Sequence, residues 1–230
     1  MKRELLIFGA AGALGKGVTN TMLNKGYHKV FLFDFNLDFY KHSDNNAELV
    51  TIEDLSEEKN VAKAFSVTEP AKDKLLFLFS AIGGFSGGRN IWEAEEEEWN
   101  KMFDMNLKSG YLIAKHFASL VKNSAGGSIC FTAAATGINP ESGKAAYGAS
   151  KAALIHLVKT LAEEGKKIKL SANAIAPYII DTPANREWMK DADSRKWIQP
   201  EEAGEFINSL FEHFHFISGN VILFPGRFVL

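Results

Sequence analysis

Tyr147 and Lys151 stand four residues apart in Tyr147-Gly148-Ala149-Ser150-Lys151, where a helical pattern begins, so they share one helix face. A phenol beside an ammonium is a proton-transfer pair. A free phenol titrates near about pH 10, too high for a relay at neutrality. A neighbouring ammonium favours the phenolate, and each unit moved is worth roughly 1.4 kcal/mol. The same lysine is suited to holding a ribose. Such a pair is common on exposed helices, and its significance depends on what lies upstream. Gly9-Ala10-Ala11-Gly12-Ala13-Leu14-Gly15 has the spacing G-x-x-G-x-x-G. Glycines there let the backbone approach a pyrophosphate, whose charge meets the positive end of the following helix. Asp34 lies 19 residues beyond Gly15, at the end of Val30-Phe31-Leu32-Phe33, where an acid meets adenosine ribose hydroxyls. A carboxylate there repels a 2′-phosphate, and no arginine immediately follows it. The expected cofactor is NADH rather than NADPH.

The elements that must position these residues alternate along the chain. Strands are predicted at Leu5–Phe8, Val30–Phe33, Glu48–Ile52, Leu75–Ser80, Ser128–Thr132, Lys169–Ile175 and Asn220–Phe224. Helices are predicted at Leu14–Lys25, Glu57–Ser66, Trp99–Asn123, Ala146–Glu164 and Pro200–Phe214. Continuous apolar runs such as Leu75-Leu76-Phe77-Leu78-Phe79 suit a parallel sheet covered on both faces. The expected architecture is α/β: one doubly wound Rossmann domain spanning residues 1–230, with a seven-stranded parallel sheet. The acidic run Glu93–Glu98 reads as a solvated helix entrance.

Composition excludes several alternatives. With 46% hydrophobic and 23% charged residues in 230, a sizeable core forms without a staple. One cysteine, Cys130, rules out an intramolecular disulfide and reads as an inert core residue. A net charge of −2 without a basic block gives no sign of nucleic acid or membrane partners. Met1-Lys2-Arg3 before an apolar run mimics a secretion signal, but Glu4 interrupts it and no convincing cleavage site follows. The expected compartment is cytoplasmic. His213 and His215 lack a third ligand motif, so no metal site is expected.

The order glycine turn, Asp34, Asp54, Asn106, Tyr147/Lys151 resembles the short-chain dehydrogenase/reductase family over essentially the whole chain. The resemblance implies further roles. Asp54, with Leu55, would contact adenine, and Ala81, Gly83 and Pro177 would line the nucleotide. Asn106 would kink its helix and hold a water in the proton relay. Asn173 would support the last strand, and Thr182 would reach the nicotinamide carboxamide. Pairing into a homodimer or homotetramer through helices around residues 100–122 and 150–164 is also implied.

Two departures stand out. The family's Asn-Asn-Ala-Gly appears as Ser80-Ala81-Ile82-Gly83, and its catalytic serine, thirteen residues before the tyrosine, falls on Ala134. Losing such a donor costs roughly a hundred- to thousand-fold in rate. Thr132 and Thr136 lie two residues either side, on the same face of an extended strand, as candidate replacements. These departures resemble the family's pterin-reducing members, as do Gly83-Gly84-Phe85-Ser86-Gly87-Gly88 and Asp181-Thr182-Pro183-Ala184-Asn185-Arg186. That resemblance implies NADH-dependent reduction of quinonoid dihydropterin, chemistry that needs a proton donor but no clamp on an isolated carbonyl oxygen. Asn106 is nearer to ordinary family members. Two alternatives stay open: a reductase of a ketone or 3-oxoacyl thioester, and a non-catalytic sensor of nicotinamide redox state. For a small-molecule substrate, pterin or carbonyl compound, the expected pocket residues are Phe85, Ala134 and Trp188. Trp188, Met189 and Trp197 form either an apolar lid or a helix face packed on the sheet edge.

Overall fold

The computed structural model describes residues 1–41 and 47–228. Among them seven strands form one sheet: β1 (Lys2–Phe8), β2 (Lys29–Asp34), β3 (Ala47–Thr51), β4 (Lys74–Ser80), β5 (Gly126–Thr132), β6 (Leu170–Pro177) and β7 (Val221–Phe224). Their order is β3-β2-β1-β4-β5-β6-β7, and every neighbouring pair is parallel. The helices are α1 (Ala13–Met22), α2 (Glu58–Phe65), α3 (Glu96–Phe103), α4 (Ser109–Lys122), α5 (Ala145–Gly165), α6 (Pro183–Trp188) and α7 (Pro200–Glu212). This is the doubly wound α/β sheet expected from the sequence.

The apolar strand runs follow from burial on both faces. In β1, Leu6 and Phe8 pack with Phe33, Ile113 and Leu154 on one side. Leu5 and Ile7 pack with Val18, Ile207 and Phe211 on the other. Glu4 breaks the run at little cost because Lys74 on the adjacent strand stands 2.9 Å away and Thr68 donates to it at 2.8 Å. α1 and α7 touch almost backbone to backbone: a Cβ on Gly17 would lie 2.2 Å from Pro200 Cβ.

The chain winds outward from β1 to β3, then jumps to β4 on the other side of β1. Loops leaving β1 and β4 therefore diverge, and they open a crevice at the carboxyl ends of the strands. The helix expected at Trp99–Asn123 is not continuous. A π-helical turn, Asp104–Lys108, separates α3 from α4. α3 also starts earlier, with Glu96, Glu97 and Glu98 in its first turn, where the helix dipole favours acids. At the far edge, Asn173 Oδ1 accepts from Asn220 N at 3.1 Å while its Nδ2 donates to Ile217 O, tying β6 to the start of β7.

Candidate active site

Two adjoining clefts occupy the crevice. The first, of about 840 Å³, is lined by Gly9, Gly12, Ala13, Leu14 and Gly15, by Asp34, by Asp54 and Leu55, and by Ala81, Gly83 and Thr182. The second, of about 580 Å³, is lined by Tyr147, Lys151, Phe85, Ala134, Pro177 and Trp188. Leu14, Ala81 and Gly83 line both, so the two are continuous.

The first cleft fits a dinucleotide. Gly9 turns the chain with φ +79°, and α1 follows with neither a side-chain cap nor an acid in its first turn. Its leading N–H groups are thus left for an anion. Gly15 has a packing reason as well: a Cβ there would sit 1.9 Å from Gly9 O. Asp34 is held rigidly, accepting from Ala11 N at 2.8 Å and from Phe35 N at 2.7 Å. Lys16 shares this cleft, but its ammonium rests 4.4 Å from the Phe39 ring centroid. Asp54 Oδ1 accepts from Ser56 N at 2.9 Å, which fixes it on the opposite wall.

In the second cleft Lys151 is buried and donates to Thr132 O at 2.8 Å. Burial brings its ammonium down to about 8. Tyr147 is half-buried on the cleft wall, with Lys151 Nζ 6.0 Å from its ring centroid. The sequence reading placed the phenol under the influence of its lysine, lowered. The structure reverses that: burial, reinforced by the Glu141 carboxylate, pushes the phenol up to about 12. The lysine's hydrogen bond goes to the backbone rather than to the ring oxygen.

Asn106 lies at the centre of the π turn and is buried. Its carboxamide pairs reciprocally with Gly84, accepting from the N–H at 2.9 Å and donating to the carbonyl at 3.1 Å. It also donates to Ser150 Oγ at 3.1 Å. The kink expected from the sequence is present, and its cause is visible: this tertiary pairing turns the asparagine inward beneath the cleft floor. A side chain on Gly83 would meet Asn106 Oδ1 at 2.6 Å and Lys151 Nζ at 2.8 Å, so a glycine is required where those two groups converge.

Ala134 lines the second cleft, where its methyl group offers no hydrogen bond. Neither flanking threonine offers its proton there: Thr132 donates to Ser80 O at 2.9 Å, and Thr136 donates to the Glu141 carboxylate. The Phe85 ring stands edge-on to Tyr147 at 5.0 Å and 5.9 Å from Trp188. The residues grouped as a lid or a packed face divide between the two. Trp188 is 65% exposed beside the cleft, whereas Trp197 is 4% exposed in the core. The run Asp181–Arg186 braces α6, an element the sequence reading missed. Thr182 Oγ1 caps it by accepting from Asn185 N at 3.1 Å, Pro183 follows, and Asp181 holds Arg186 at 2.5 and 2.7 Å. That cap uses a lone pair of Thr182 and leaves its proton to donate. Lys144 and Glu141 were also missed. Lys144 precedes Tyr147 by three residues and is the N-cap of α5, just outside the helical period. Cys130 is buried in β5, and burial pushes its thiol up to about 12. Among the described residues no helix is long and apolar enough to cross a membrane.

A seven-stranded parallel sheet carrying a glycine turn, a strand-end aspartate and a tyrosine–lysine pair at one crevice defines a nicotinamide-dependent oxidoreductase. Residues 3–193 match the family described as short chain dehydrogenase, and the chain belongs to that family. Among individual relatives, the dihydropteridine reductase of Dictyostelium discoideum is 33% identical over 214 residues, covering 92% of this chain and 87% of that protein. The human 3-oxoacyl-[acyl-carrier-protein] reductase is 26% identical over 235 residues, covering 98% of each. The fold matches that of a short-chain type dehydrogenase/reductase from Mycobacterium ulcerans with a TM-score of 0.85 at 20% identity, covering 96% of this chain and 87% of that one.

Proposed function

We propose that this protein reduces quinonoid dihydropterin with NADH. One observation carries the reading: the cleft beside Tyr147 is walled by Phe85 and Trp188, while Ala134, Thr132 and Thr136 offer no free hydroxyl proton to a carbonyl. Such a slot suits a flat conjugated ring whose reduction needs a proton but no hydroxyl at a carbonyl oxygen. The likeness to a dihydropteridine reductase supports the same substrate.

In this reading a reduced nicotinamide, bound along the first cleft, supplies the hydride. Tyr147, protonated far above neutrality, gives the proton to the ring; hydride plus proton complete a two-electron reduction to the tetrahydropterin. Lys151 would hold the nicotinamide ribose, and its ammonium is the proton reserve nearest the phenol. Asn106 fixes the Gly83-Gly84 turn against which the nucleotide lies. Asp34 takes the adenosine ribose hydroxyls and excludes a 2′-phosphate, which favours NADH. The 230 residues act as one cytoplasmic domain that pairs with a second copy through α4 and α5.

A second reading, reduction of a ketone or a 3-oxoacyl thioester, is supported by the likeness to the human 3-oxoacyl reductase. Steady-state assays decide between them. The first reading expects NADH-dependent turnover of quinonoid dihydropterin well above the uncatalysed rate, and turnover confined to carbonyl compounds would overturn it.

A further inference from the structure

The acceptor cleft holds a cation that the tyrosine–lysine chemistry does not use. Lys144 lines the cleft at the entrance to α5. Its ammonium is 2.7 Å from Glu141 Oε2 and 5.8 Å from the Phe85 ring centroid. The side chains of Lys144 and Glu141 are 23% and 31% exposed, so water reaches the pair without surrounding it. Glu141 is anchored in turn by the Thr136 hydroxyl.

Glycines build the seat. Gly88 N donates to Gly143 O at 2.8 Å, and both residues hold positive φ, +110° and +74°. A Cβ on Gly87 would meet Gly143 O at 2.8 Å, Phe85 Cζ at 3.2 Å and Lys144 Cγ at 3.4 Å. The turn after β4 therefore closes on the residues that precede α5, fixing the lysine stem and the Phe85 ring side by side. An ammonium has three N–H donors, and the Glu141 contact takes one. The neighbouring threonine hydroxyls have spent their protons, Thr132 on Ser80 O and Thr136 on Glu141, and the Lys151 ammonium is turned to Thr132 O.

We propose that Lys144 binds the oxo oxygen of a flat conjugated acceptor lying against Phe85, supplying the orienting hydrogen bond that Ala134 cannot give. The assignment rests on the reading of this cleft as the acceptor site. It favours acceptors whose oxygen gathers negative charge as the ring is reduced, and it disfavours cationic ones.

The test uses two probe acceptors with NADH: quinonoid dihydropterin and phenanthrenequinone, a flat dicarbonyl. Lys144→Met keeps the stem and removes the charge; Lys144→Arg keeps the charge. Lys144→Met is expected to raise KM for the acceptor about tenfold to a hundredfold. NADH affinity, read by fluorescence titration, stays unchanged, and Lys144→Arg restores KM to within about threefold of wild type. Should Lys144→Met lose thermal stability, Lys144→Gln carries the same comparison. An acceptor KM within about twofold of wild type in the uncharged variant overturns the proposal. The two assignments separate cleanly. Reduction of the quinone but not the pterin removes the pterin reading and leaves Lys144 to be judged on the quinone. Reduction of both with unmoved KM values removes Lys144 and leaves the pterin reading. Turnover of neither removes both.

Discussion

Replacing Lys151 with methionine is expected to stabilise the protein and abolish its activity. The ammonium is buried and makes one hydrogen bond, to Thr132 O, with burial lowering it from 10.5 to about 8. At neutral pH, folding must therefore carry a charge out of water at a cost of about 3 kcal/mol. Methionine removes that cost, fills a similar volume, and forfeits a hydrogen bond worth about 1 kcal/mol. The net gain is about 2 kcal/mol, or about 4–8 °C in Tm for a domain of this size. The sign with pH follows from the lowered folded-state value. The penalty applies in full below about pH 8, shrinks as pH rises toward 10.5, and is absent above it, where both states are neutral. Calorimetry of wild type and Lys151→Met at pH 7 and at pH 10.5 should show the advantage at the first and its loss at the second. Turnover of the same samples should fall at least about a hundredfold. A variant less stable than wild type at pH 7 refutes the desolvation argument; one that keeps its activity refutes the catalytic one.

Tyr147→Phe should bind NADH normally yet lose about a hundred- to ten-thousand-fold in kcat, because the proton donor is removed and the ring retained; retention of kcat would place the donor elsewhere. The alkaline limb of the reductase pH profile should fall near pH 8, where Lys151 discharges, since the phenol stays protonated to about 12; a limb near 10 would assign it to some other group. Asp34→Asn should shift the NADPH-to-NADH preference by about tenfold or more toward NADPH, as the relief of one charge repulsion requires; an unchanged ratio of KM values would show that Asp34 does not select the cofactor. Gly15→Ala and Gly12→Ala separate glycine required for packing from glycine required for the ligand. A Cβ at 15 would clash with Gly9 O at 1.9 Å, whereas one at 12 reaches it at 3.4 Å. Gly15→Ala should cost about 2 kcal/mol or more in stability. Gly12→Ala should keep its Tm and lose NADH affinity, and equal Tm losses would contradict the distinction.

Much of the fold could be read directly because a parallel sheet covered on both faces writes itself as unbroken apolar runs. β1, with Leu5 through Phe8 fully buried between two helical layers, is the plainest case. What escaped the reading depends on partners distant in the chain. The family resemblance implied a kink at Asn106, but its cause, the pairing with Gly84 22 residues away, is nothing that local periodicity can register. Trp197 gave the same apolar signal as Trp188, yet one is core and the other cleft wall, and three-dimensional packing alone separates them. α6 did leave a local mark, Thr182 followed by Pro183, but six residues are too few for a helical period to show.

The phenol illustrates the deeper limit. Spacing revealed a cation near Tyr147, and from that a lowered pKa followed. The structure reveals more: the phenol is itself desolvated, the Glu141 carboxylate presses on it, and the cation's hydrogen bond goes to Thr132 O. All three effects favour the protonated phenol. A site meant to remove a proton from an alcohol would need the opposite balance, because its tyrosine must begin as phenolate. A site meant to deliver a proton needs a phenol that waits protonated and an acceptor whose charge rises during hydride arrival. The Thr136–Glu141–Lys144 arrangement serves both ends of that requirement: its carboxylate keeps the proton on Tyr147, and its ammonium faces the cleft where the acceptor's charge develops. The electrostatics of this cleft thus keep the proton on Tyr147 in the resting site, ready for transfer to an acceptor, independently of which ring that is.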